Sequence, residues 1–314
     1  MRPTCVNKVF ELAKRDPRVV YIGSDLSPDL TERMKKEMPD RAFMEGVSEA
    51  HVVGMAAGLA MEGFIPFVHT IATFITRRCY EQVAVDLCLH NLPVRLIGNG
   101  GGLVYAPLGP THLAIEDVAI MRALPNMTVV SVCDADEMVR FMDLTLDWPG
   151  PIYIRLAKGF DPIVSRAELG FEIGKAIPMR IVAPSLNSPL LVSTGVATTR
   201  TLAAAELLAA KGAECTVLHM HTVKPLDTAA ILHHSRDVDV VVTVEEHTVV
   251  GGLGSAVTDA LIEGRGRVPL IRRLGIPDVF AVKYGSQDQL MAMYGLQPPQ
   301  IAEAVWEALK LVSA

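Results

Sequence analysis

The strongest constraint on the fold of this 314-residue chain is the alternation of short apolar runs with helical patterns along most of its length. The runs are rich in Val and Ile and contain few polar positions, which is typical of parallel strands covered on both faces. Clear examples are RVVYIGSDL (18–26), FIPFVHT (64–70) and LPVRLIG (92–98). The sequence therefore predicts an α/β fold with mainly parallel sheets.

The alternation is interrupted once, and this interruption divides the chain. Residues 158–188 are rich in Pro, Gly and charged side chains, which predicts a linker with some ordered turns. The alternation resumes with PLLVST at 189–194. We expect one domain over 1–160 and a second over 188–314, joined by a linker at 161–187, each of ordinary domain size.

Composition and charge exclude several classes of protein. The net charge is −6 without a long basic run, which disfavours non-specific nucleic-acid binding. No uninterrupted apolar stretch reaches about 18 residues, so no membrane span is expected. The N-terminal segment has no apolar signal-peptide core. The five cysteines are scattered and form no CxxC motif, which favours a reduced, cytoplasmic protein.

Two glycine clusters raise the possibility of nucleotide binding. GNGGG at 98–102 is followed by Leu103, where the GxGxxG fingerprint needs its third glycine. VVGGLG at 249–254 opens a predicted helix, whose first amides suit an anion. Tight turns and close backbone packing are the alternative for both clusters. The HExxH motif of metalloproteases and the GxSxG motif of serine hydrolases do not occur in the sequence.

Polar and aromatic residues recur where predicted strands end, which is where ligands bind in open α/β sheets. The segments are GSDLSPDLT (23–31), HTIATFITRRCYEQ (69–82), GPTHLAIED (109–117) and IYIRLAKG (152–159). A further segment, GVSEAHVVGMAAGLA (46–60), places Glu49 at the front of an otherwise apolar helix. The structural alternative for this acid is a favourable position at the helix N-terminus, with Ser48 as the capping residue.

Together and in this order, the segments resemble the pyrimidine-binding and C-terminal domains of the transketolase family of thiamine diphosphate enzymes. GVSEAHVVGMAAGLA is similar to the glutamate helix of the family, ATFITRRCYEQ to its aromatic helix, and GPTHLAIED to its GPTH loop. VKPLD (223–227) and EEHTVVGGLGSAV (245–257) are similar to marks of the C-terminal domain. The resemblance covers nearly the whole chain.

The resemblance implies how the cofactor is held. Glu49 would hydrogen-bond the ring nitrogen N1′ of the aminopyrimidine and so favour loss of the C2 proton of the thiazolium. Phe74 would stack on the aminopyrimidine, with ordinary core packing as the alternative. Asp25 and Leu26 match a segment that reaches the cofactor near a subunit boundary, although a simple turn residue is the alternative for Asp25.

The resemblance also implies substrate contacts. His112 matches the histidine that hydrogen-bonds the substrate oxygen while the C–C bond breaks. Arg155 matches an arginine that grips a sugar phosphate, with a surface ion pair as the alternative. On the helix of Phe74, we expect Arg77 to contact the cofactor or the substrate, with solvent exposure as the alternative. We expect Tyr80 to contact the cofactor, with core packing as the alternative.

Three positions depart from the pattern of the family. Leu108 replaces the aspartate that usually precedes GPTH and helps to recognise the donor hydroxyls. Gly100 falls near the place of a second substrate histidine, and Asp29 stands where a phosphate-binding serine is common. These departures leave cofactor activation intact, but they argue against the usual sugar phosphate donor.

The sequence contains no GDG segment, which family members use together with an asparagine to bind the diphosphate through Mg²⁺. The chain also has about half the length of full-length members. We therefore expect it to be the C-terminal subunit of a split enzyme. Its partner would be a separate N-terminal, diphosphate-binding subunit that holds most of the Mg²⁺ ligands, in a heterotetramer with two copies of each subunit (α2β2).

The leading functional hypothesis is a transketolase that transfers a two-carbon ketol unit from a ketose to an aldose. A 1-deoxyxylulose-5-phosphate synthase-like activity is an alternative, because TFITRRCYEQ is also similar to those enzymes. The β-subunit of a 2-oxo acid dehydrogenase is disfavoured by the GPTH motif and the IED that follows it. A non-catalytic assembly subunit is disfavoured because Glu49, Phe74 and His112 are all present.

Overall fold

The computed structural model contains two α/β units, which confirms the predicted fold class. It describes residues 1–24, 26–157, 159, 161–183, 188–264 and 266–313. In these ranges the strands are β1 (Val19–Gly23), β2 (Ala42–Met44), β3 (Ile65–Ile71), β4 (Arg95–Asn99), β5 (Thr128–Ser131), β6 (Ile152–Leu156), β7 (Ile177–Arg180), β8 (Leu190–Ser193), β9 (Thr216–His219), β10 (Thr222–Lys224), β11 (Val240–Thr248) and β12 (Leu270–Ile276).

The helices of the same ranges alternate with these strands. They are α1 (Arg2–Arg15), α2 (Pro28–Glu37), α3 (Glu49–Met61), α4 (Tyr80–Gln82), α5 (Asp117–Ala123), α6 (Ala135–Leu144), α7 (Ala197–Ala209), α8 (Thr228–Ser235), α9 (Leu253–Glu263), α10 (Gln287–Met293) and α11 (Pro298–Ser313). None of them combines the length and the apolar character that a membrane crossing requires.

The first sheet has the strand order β10-β5-β6-β4-β3-β1-β2, and the second has the order β12-β11-β8-β9-β7. Alternate side chains of a strand enter two different apolar layers. Val20 and Ile22 of β1 join the cluster that includes α3 and α5, whereas Val19 and Tyr21 join the cluster that includes α1 and α6. Burial on both faces explains why these strands contain so few polar residues.

The parallel register brings the carboxyl ends of the central strands of the first sheet to one edge. Gly23 of β1 pairs with His69 of β3, and Ile71 of β3 pairs with Asn99 of β4. Asn99 in turn pairs with Leu156 of β6. The loops that follow these strands carry most of the polar segments noted above, so the fold gathers them at this edge, which we call the carboxyl edge.

Two strands pair with partners that the sequence did not indicate. The segment predicted to be a linker contributes β7, which pairs antiparallel with β9 at the edge of the second sheet. The short strand β10 leaves the second unit and pairs antiparallel with β5 of the first sheet. These pairings satisfy backbone groups at two sheet edges, and no local sequence pattern predicts such partners.

The segment after β3, which includes the ATFITRRCYEQ sequence that resembles the aromatic helix of the family, is not a regular α-helix. The chain instead forms a π-helical segment, Phe74–Arg78, then α4, then a second π-helical segment, Val83–Leu89. The Thr76 hydroxyl donates to the carbonyl of Ala72 over 2.7 Å. Such bonds from a side chain to the preceding turn compete with the regular ladder and often bend helices. Single π turns are frequently found at functional sites.

Candidate active site

Glu49 lies in the first turn of α3 and is only 2% exposed. Nη1 of Arg78 donates a hydrogen bond of 2.8 Å to Glu49 Oε2. The hydroxyl of Thr70, near the end of β3, lies 3.4 Å from Oε1, which is long for a hydrogen bond between oxygens. The carboxylate is therefore held by one cation and one weak hydroxyl contact.

The helix-capping alternative for this stretch receives no support from the geometry. The hydroxyl of Ser48 donates to the carbonyl of Glu45 over 2.9 Å and makes no cap bond to α3. Glu49 keeps its place in the first turn, where the helix dipole favours an acid. Its oxygens, however, face Arg78 and Thr70.

Arg78 and Phe74 together connect Glu49 to His112. The guanidinium carbon of Arg78 lies 4.1 Å from the centroid of the half-buried Phe74 ring. The imidazole of His112 meets the same ring edge-on, with the two centroids 5.2 Å apart. Nδ1 of His112 lies 2.9 Å from the hydroxyl of Thr111, which helps to orient the imidazole. Glu49, Phe74, Arg78 and His112 thus form one group, which we call the carboxyl-edge cluster.

Arg77 and Tyr80 point to other partners. Arg77 forms an ion pair with Glu116 and donates to the carbonyl of Leu113. It also lines a cavity of about 490 Å³ beside the GPTH loop. Burial raises the pKa of Glu116, although the charge of Arg77 opposes this shift. The hydroxyl of Tyr80 donates to the carbonyl of Ile120 over 2.9 Å, which anchors it towards α5.

The guanidinium of Arg155 is occupied by contacts within the protein. It is buried, and Nε donates to the carboxylate of Asp117 over 2.7 Å. Nη2 donates to the carbonyls of Ala114 and Glu246 at 3.1 and 2.9 Å. Burial alone would lower the pKa of Arg155, but the charge and hydrogen bond of Asp117 outweigh it and raise that pKa. The guanidinium therefore stays charged and joins the two units.

The remaining residues singled out from the sequence are dispersed. Asp25 lies outside the described residues, and Leu26 is half-buried in the loop between β1 and α2. Leu108 is exposed. Gly100 has a φ of +78°, and an added Cβ would lie 2.1 Å from the Tyr105 ring, so a side chain does not fit there. Asp29 lines a separate surface cavity that includes two arginines.

The glycine clusters serve packing, as their alternative interpretation predicted. A Cβ at Gly102 would lie 2.7 Å from the side chain of Glu246, whose Oε1 accepts from the amide of Leu103 over 2.8 Å. At the second cluster the carboxylate of Glu245 accepts from the amides of Leu253 and Gly254 at 2.7 and 2.8 Å. The anion at the N-terminus of α9 is therefore supplied by the chain itself.

A second buried polar group lies between the two units. Nε2 of His219, in β9, is 2.9 Å from Oε2 of Glu137, in α6, and Nδ1 is 2.7 Å from the hydroxyl of Thr198. The amide of Cys133 donates to the same Glu137 oxygen over 2.6 Å. Burial would raise the pKa of Glu137, but the charge and hydrogen bond of His219 outweigh it and lower that pKa. These contacts join the two units through Oε2 of Glu137, whereas its Oε1 has no hydrogen-bond partner among the described residues.

Comparisons with known proteins decide the family. The family model "Transketolase, pyrimidine binding domain" matches residues 2–160, and "Transketolase, C-terminal domain" matches residues 187–301. The chain belongs to the transketolase family. The 6-deoxy-6-sulfo-D-fructose transketolase subunit SqwH of Clostridium sp. (strain MSTE9) is 37% identical over 308 residues, which are 98% of this chain and 94% of SqwH.

A full-length enzyme and a solved structure are also similar to this chain. The 1-deoxy-D-xylulose-5-phosphate synthase of Synechococcus sp. (strain JA-3-3Ab) is 37% identical over 313 residues, which are 96% of this chain but only 47% of that enzyme. A solved structure described as a split gene transketolase, inactive beta4 tetramer, aligns with a TM-score of 0.88 and 33% identity. That alignment covers 99% of this chain and 98% of the other.

Transketolases depend on thiamine diphosphate, and the carboxyl-edge cluster fits the aminopyrimidine half of this cofactor. Glu49 offers a buried carboxylate for a ring nitrogen, and Phe74 offers a half-buried aromatic face for a flat ring. A ring that sits on both would lie next to His112, because the imidazole contacts Phe74. The cluster combines an apolar face with a few polar groups, which is the usual composition of a site that binds a heteroaromatic ring.

Sequence reasoning missed Arg78 and selected its neighbour Arg77. The signal was present, since Arg78 stands four residues after Phe74, and residues at that spacing share one side of a helix. The selection of Arg77 rested on its position in the middle of the helix. In the structure Arg78 contacts Phe74 and Glu49, whereas Arg77 contacts Glu116.

Proposed function

We propose that this chain is the C-terminal subunit of a split, thiamine diphosphate-dependent transketolase, which transfers a two-carbon ketol unit from a ketose to an aldose. The observation that carries the proposal is the carboxyl-edge cluster, in which a buried carboxylate, an aromatic face and a histidine lie together. A subunit that served assembly alone would have no need to bury the carboxylate of Glu49 beside the half-exposed Arg78.

Three members of the cluster, Glu49, Phe74 and His112, each have a defined task. Glu49 holds the aminopyrimidine through its ring nitrogen, and the apolar helix behind it keeps water away from this hydrogen bond. Phe74 supports the flat face of the ring. His112 donates a hydrogen bond to the substrate oxygen that gains negative charge as the C–C bond breaks. When bound, thiamine diphosphate supplies the electron sink for that cleavage.

We propose that the diphosphate and its Mg²⁺ are held mainly by a separate N-terminal subunit in a heterotetramer. In support, the chain spans about half the length of the deoxyxylulose-phosphate synthase that it matches. SqwH is named as a subunit, and the solved relative is described as the product of a split gene. The cytoplasmic location that the cysteine pattern predicts stays a prediction.

An apolar surface beside the active site also supports a partner. Val279, Phe280, Val282 and Tyr284 are each more than half exposed in the loop between β12 and α10. The ring of Tyr284 packs against Gly109 at the start of the GPTH loop, where an added Cβ would lie 2.6 Å from it. Clusters of exposed apolar side chains mark interaction surfaces.

We propose that the donor is not gripped through a phosphate at Arg155. The guanidinium of Arg155 is buried in protein contacts, and Gly100 leaves no room for a histidine. SqwH acts, by its name, on a sulfonated fructose rather than on a sugar phosphate. A ketose donor with another terminal group fits these observations better than the usual sugar phosphate.

The first test is calorimetric binding of thiamine diphosphate with Mg²⁺, to this chain alone and to its mixture with the N-terminal subunit. We expect tight binding in the mixture alone. Tight binding to the isolated chain would contradict the split site. A series of donors then separates the possible activities. Turnover of hydroxypyruvate or 6-deoxy-6-sulfofructose would report ketol transfer, and turnover of fructose 6-phosphate would show that a sugar phosphate is accepted. Pyruvate as the preferred donor would favour a deoxyxylulose-phosphate synthase-like enzyme.

A further inference from the structure

Arg78 makes both of the contacts that the aminopyrimidine is proposed to need. Its Nη1 is 2.8 Å from Glu49 Oε2, and its guanidinium carbon is 4.1 Å from the centroid of Phe74. We propose that Arg78 occupies the aminopyrimidine site in the free protein and competes with the aminopyrimidine for this carboxylate and this aromatic face. This inference rests on the proposed function, because it concerns the same cofactor site.

The competition follows from geometry. A guanidinium and an aminopyrimidine are both planar, both hydrogen-bond a carboxyl group through a ring or guanidinium nitrogen, and both stack on an aromatic ring. The bond between Glu49 and N1′ needs one proton, which lies on the acid or on the ring nitrogen. Phe74 is half-buried, so it offers limited area to a second planar group. A ring that is stacked on Phe74 and bonded to Glu49 would need the volume in which the Arg78 guanidinium now lies.

Arg78 is also the arginine of this region that can leave most easily. Its side chain is 47% exposed, and the contacts recorded for its guanidinium are those with Glu49 and Phe74. By contrast, Arg155 is buried and bonded to Asp117 and two carbonyls. A partly exposed ion pair and a partly exposed cation–π contact are each weak, so this pair can open.

The pair also has a benefit for the protein. A buried carboxylate without a partner is strongly unfavourable, and Arg78 supplies the opposite charge to Glu49. The cost appears in the affinity, since a ligand that requires the open form binds more weakly by the fraction of protein in that form. We expect thiamine diphosphate to bind about tenfold more tightly when this competitor is removed.

The test is calorimetric titration of thiamine diphosphate with Mg²⁺ into the mixture of this chain and its N-terminal subunit. The variants are Arg78→Met, which keeps the bulk of the stem, and Arg78→Lys, which keeps the charge but loses the planar guanidinium. Arg18→Met is the matched control, because Arg18 is 53% exposed and donates to Asp16 over 2.7 Å just before β1, at the end of the strand opposite to the carboxyl edge.

Competition predicts that Arg78→Met binds about tenfold more tightly than the unaltered protein, with Arg78→Lys in between and Arg18→Met unchanged. Equal or weaker binding by both Arg78 variants, with normal binding by the unaltered protein, would overturn the competition and leave the proposed function intact. If the unaltered mixture and all variants fail to bind, the proposed function itself is overturned, and the competition with it.

Discussion

Two buried glutamates near helix N-termini, Glu49 and Glu245, differ in how their charge is satisfied. Glu245 extends from β11 and accepts two amides of α9, those of Leu253 and Gly254, at 2.7 and 2.8 Å. Glu49 belongs to the first turn of its own helix, and its strongest partner is the half-exposed Arg78. A carboxylate bonded to backbone amides has a structural role, whereas one bonded to a half-exposed side chain can exchange that partner for a ligand.

The largest effect is expected for Glu49→Gln in the reconstituted enzyme. The amide keeps the shape of the side chain but cannot hold the ring nitrogen of the cofactor as an acid does. We expect kcat to fall by about 10²- to 10⁴-fold, as is usual when an acid–base group is lost. Steady-state kinetics with hydroxypyruvate as donor measure this effect.

Two controls accompany Glu49→Gln. Glu62→Gln changes an exposed glutamate at the other end of the same helix and should leave kcat unchanged. Size-exclusion chromatography should show the same assembly for both variants. If Glu49→Gln retains full activity in an intact assembly, the functional side of the comparison between Glu49 and Glu245 fails.

Glu245→Gln should act on stability instead. One carboxylate oxygen is replaced by an amide NH₂ group that faces a backbone donor, so a charged hydrogen bond is lost at the N-terminus of α9. We expect the free energy of unfolding to fall by about 2–3 kcal/mol. Urea unfolding followed by circular dichroism measures it, with Glu263→Gln at the exposed end of α9 as the matched control. An unchanged midpoint would show that the carboxylate is dispensable there.

The free energy of unfolding should fall at acid pH because of two buried histidines, one near the active site and one near the interface between the units. Burial lowers the pKa of His69, in β3, and of His221, beside β10, to about 3 each. Their unfolded pKa is about 6.5, so only the unfolded chain takes up these protons between pH 6.5 and 3. Their contribution to stability is therefore complete above pH 6.5 and is lost as the pH falls, by about 1.4 kcal/mol per pH unit for each histidine.

The measurement is the urea midpoint of the chain at a series of pH values from 6.5 to 4.5. His69→Gln keeps a partner for the hydroxyl of Tyr21 and should reduce the pH slope by about the share of one histidine. A slope that does not change in His69→Gln would show that the edge of the active site does not contribute to acid sensitivity.

The smallest effect is expected for Ser48→Ala. Replacing a serine that caps a helix usually costs about 1 kcal/mol, but the hydroxyl of Ser48 bonds to Glu45 and makes no cap bond. We expect less than about 0.5 kcal/mol in urea unfolding. Ser286→Ala is the comparison, because Ser286 accepts from the amide of Gln289 in a capping box and should show the full cost. Equal losses would restore the capping interpretation.

Sequence reasoning predicted the fold class from the alternation of apolar strands and helices, and the resemblance of five segments predicted Glu49, Phe74 and His112 as members of one site. The structure brings these three together. In the structure Arg77 pairs with Glu116, and Arg155 pairs with Asp117. The sequence did not predict these pairs, because the position of an arginine in a sequence does not reveal which acid its guanidinium contacts. Asp25 remains a prediction outside the described residues.

The sequence by itself determined what depends on local pattern: strand and helix types, the carboxyl edge where loops gather, and the spacing that places Phe74 and Arg78 together. Only the tertiary structure decided which distant groups meet. Arg78 reaches Glu49 across 29 positions, and Leu103 reaches Glu246 across 143. The pairing of β10 with β5 is equally non-local. Such contacts depend on how the helices and sheets pack and on which buried charges need partners. No local segment of the sequence determines either of these.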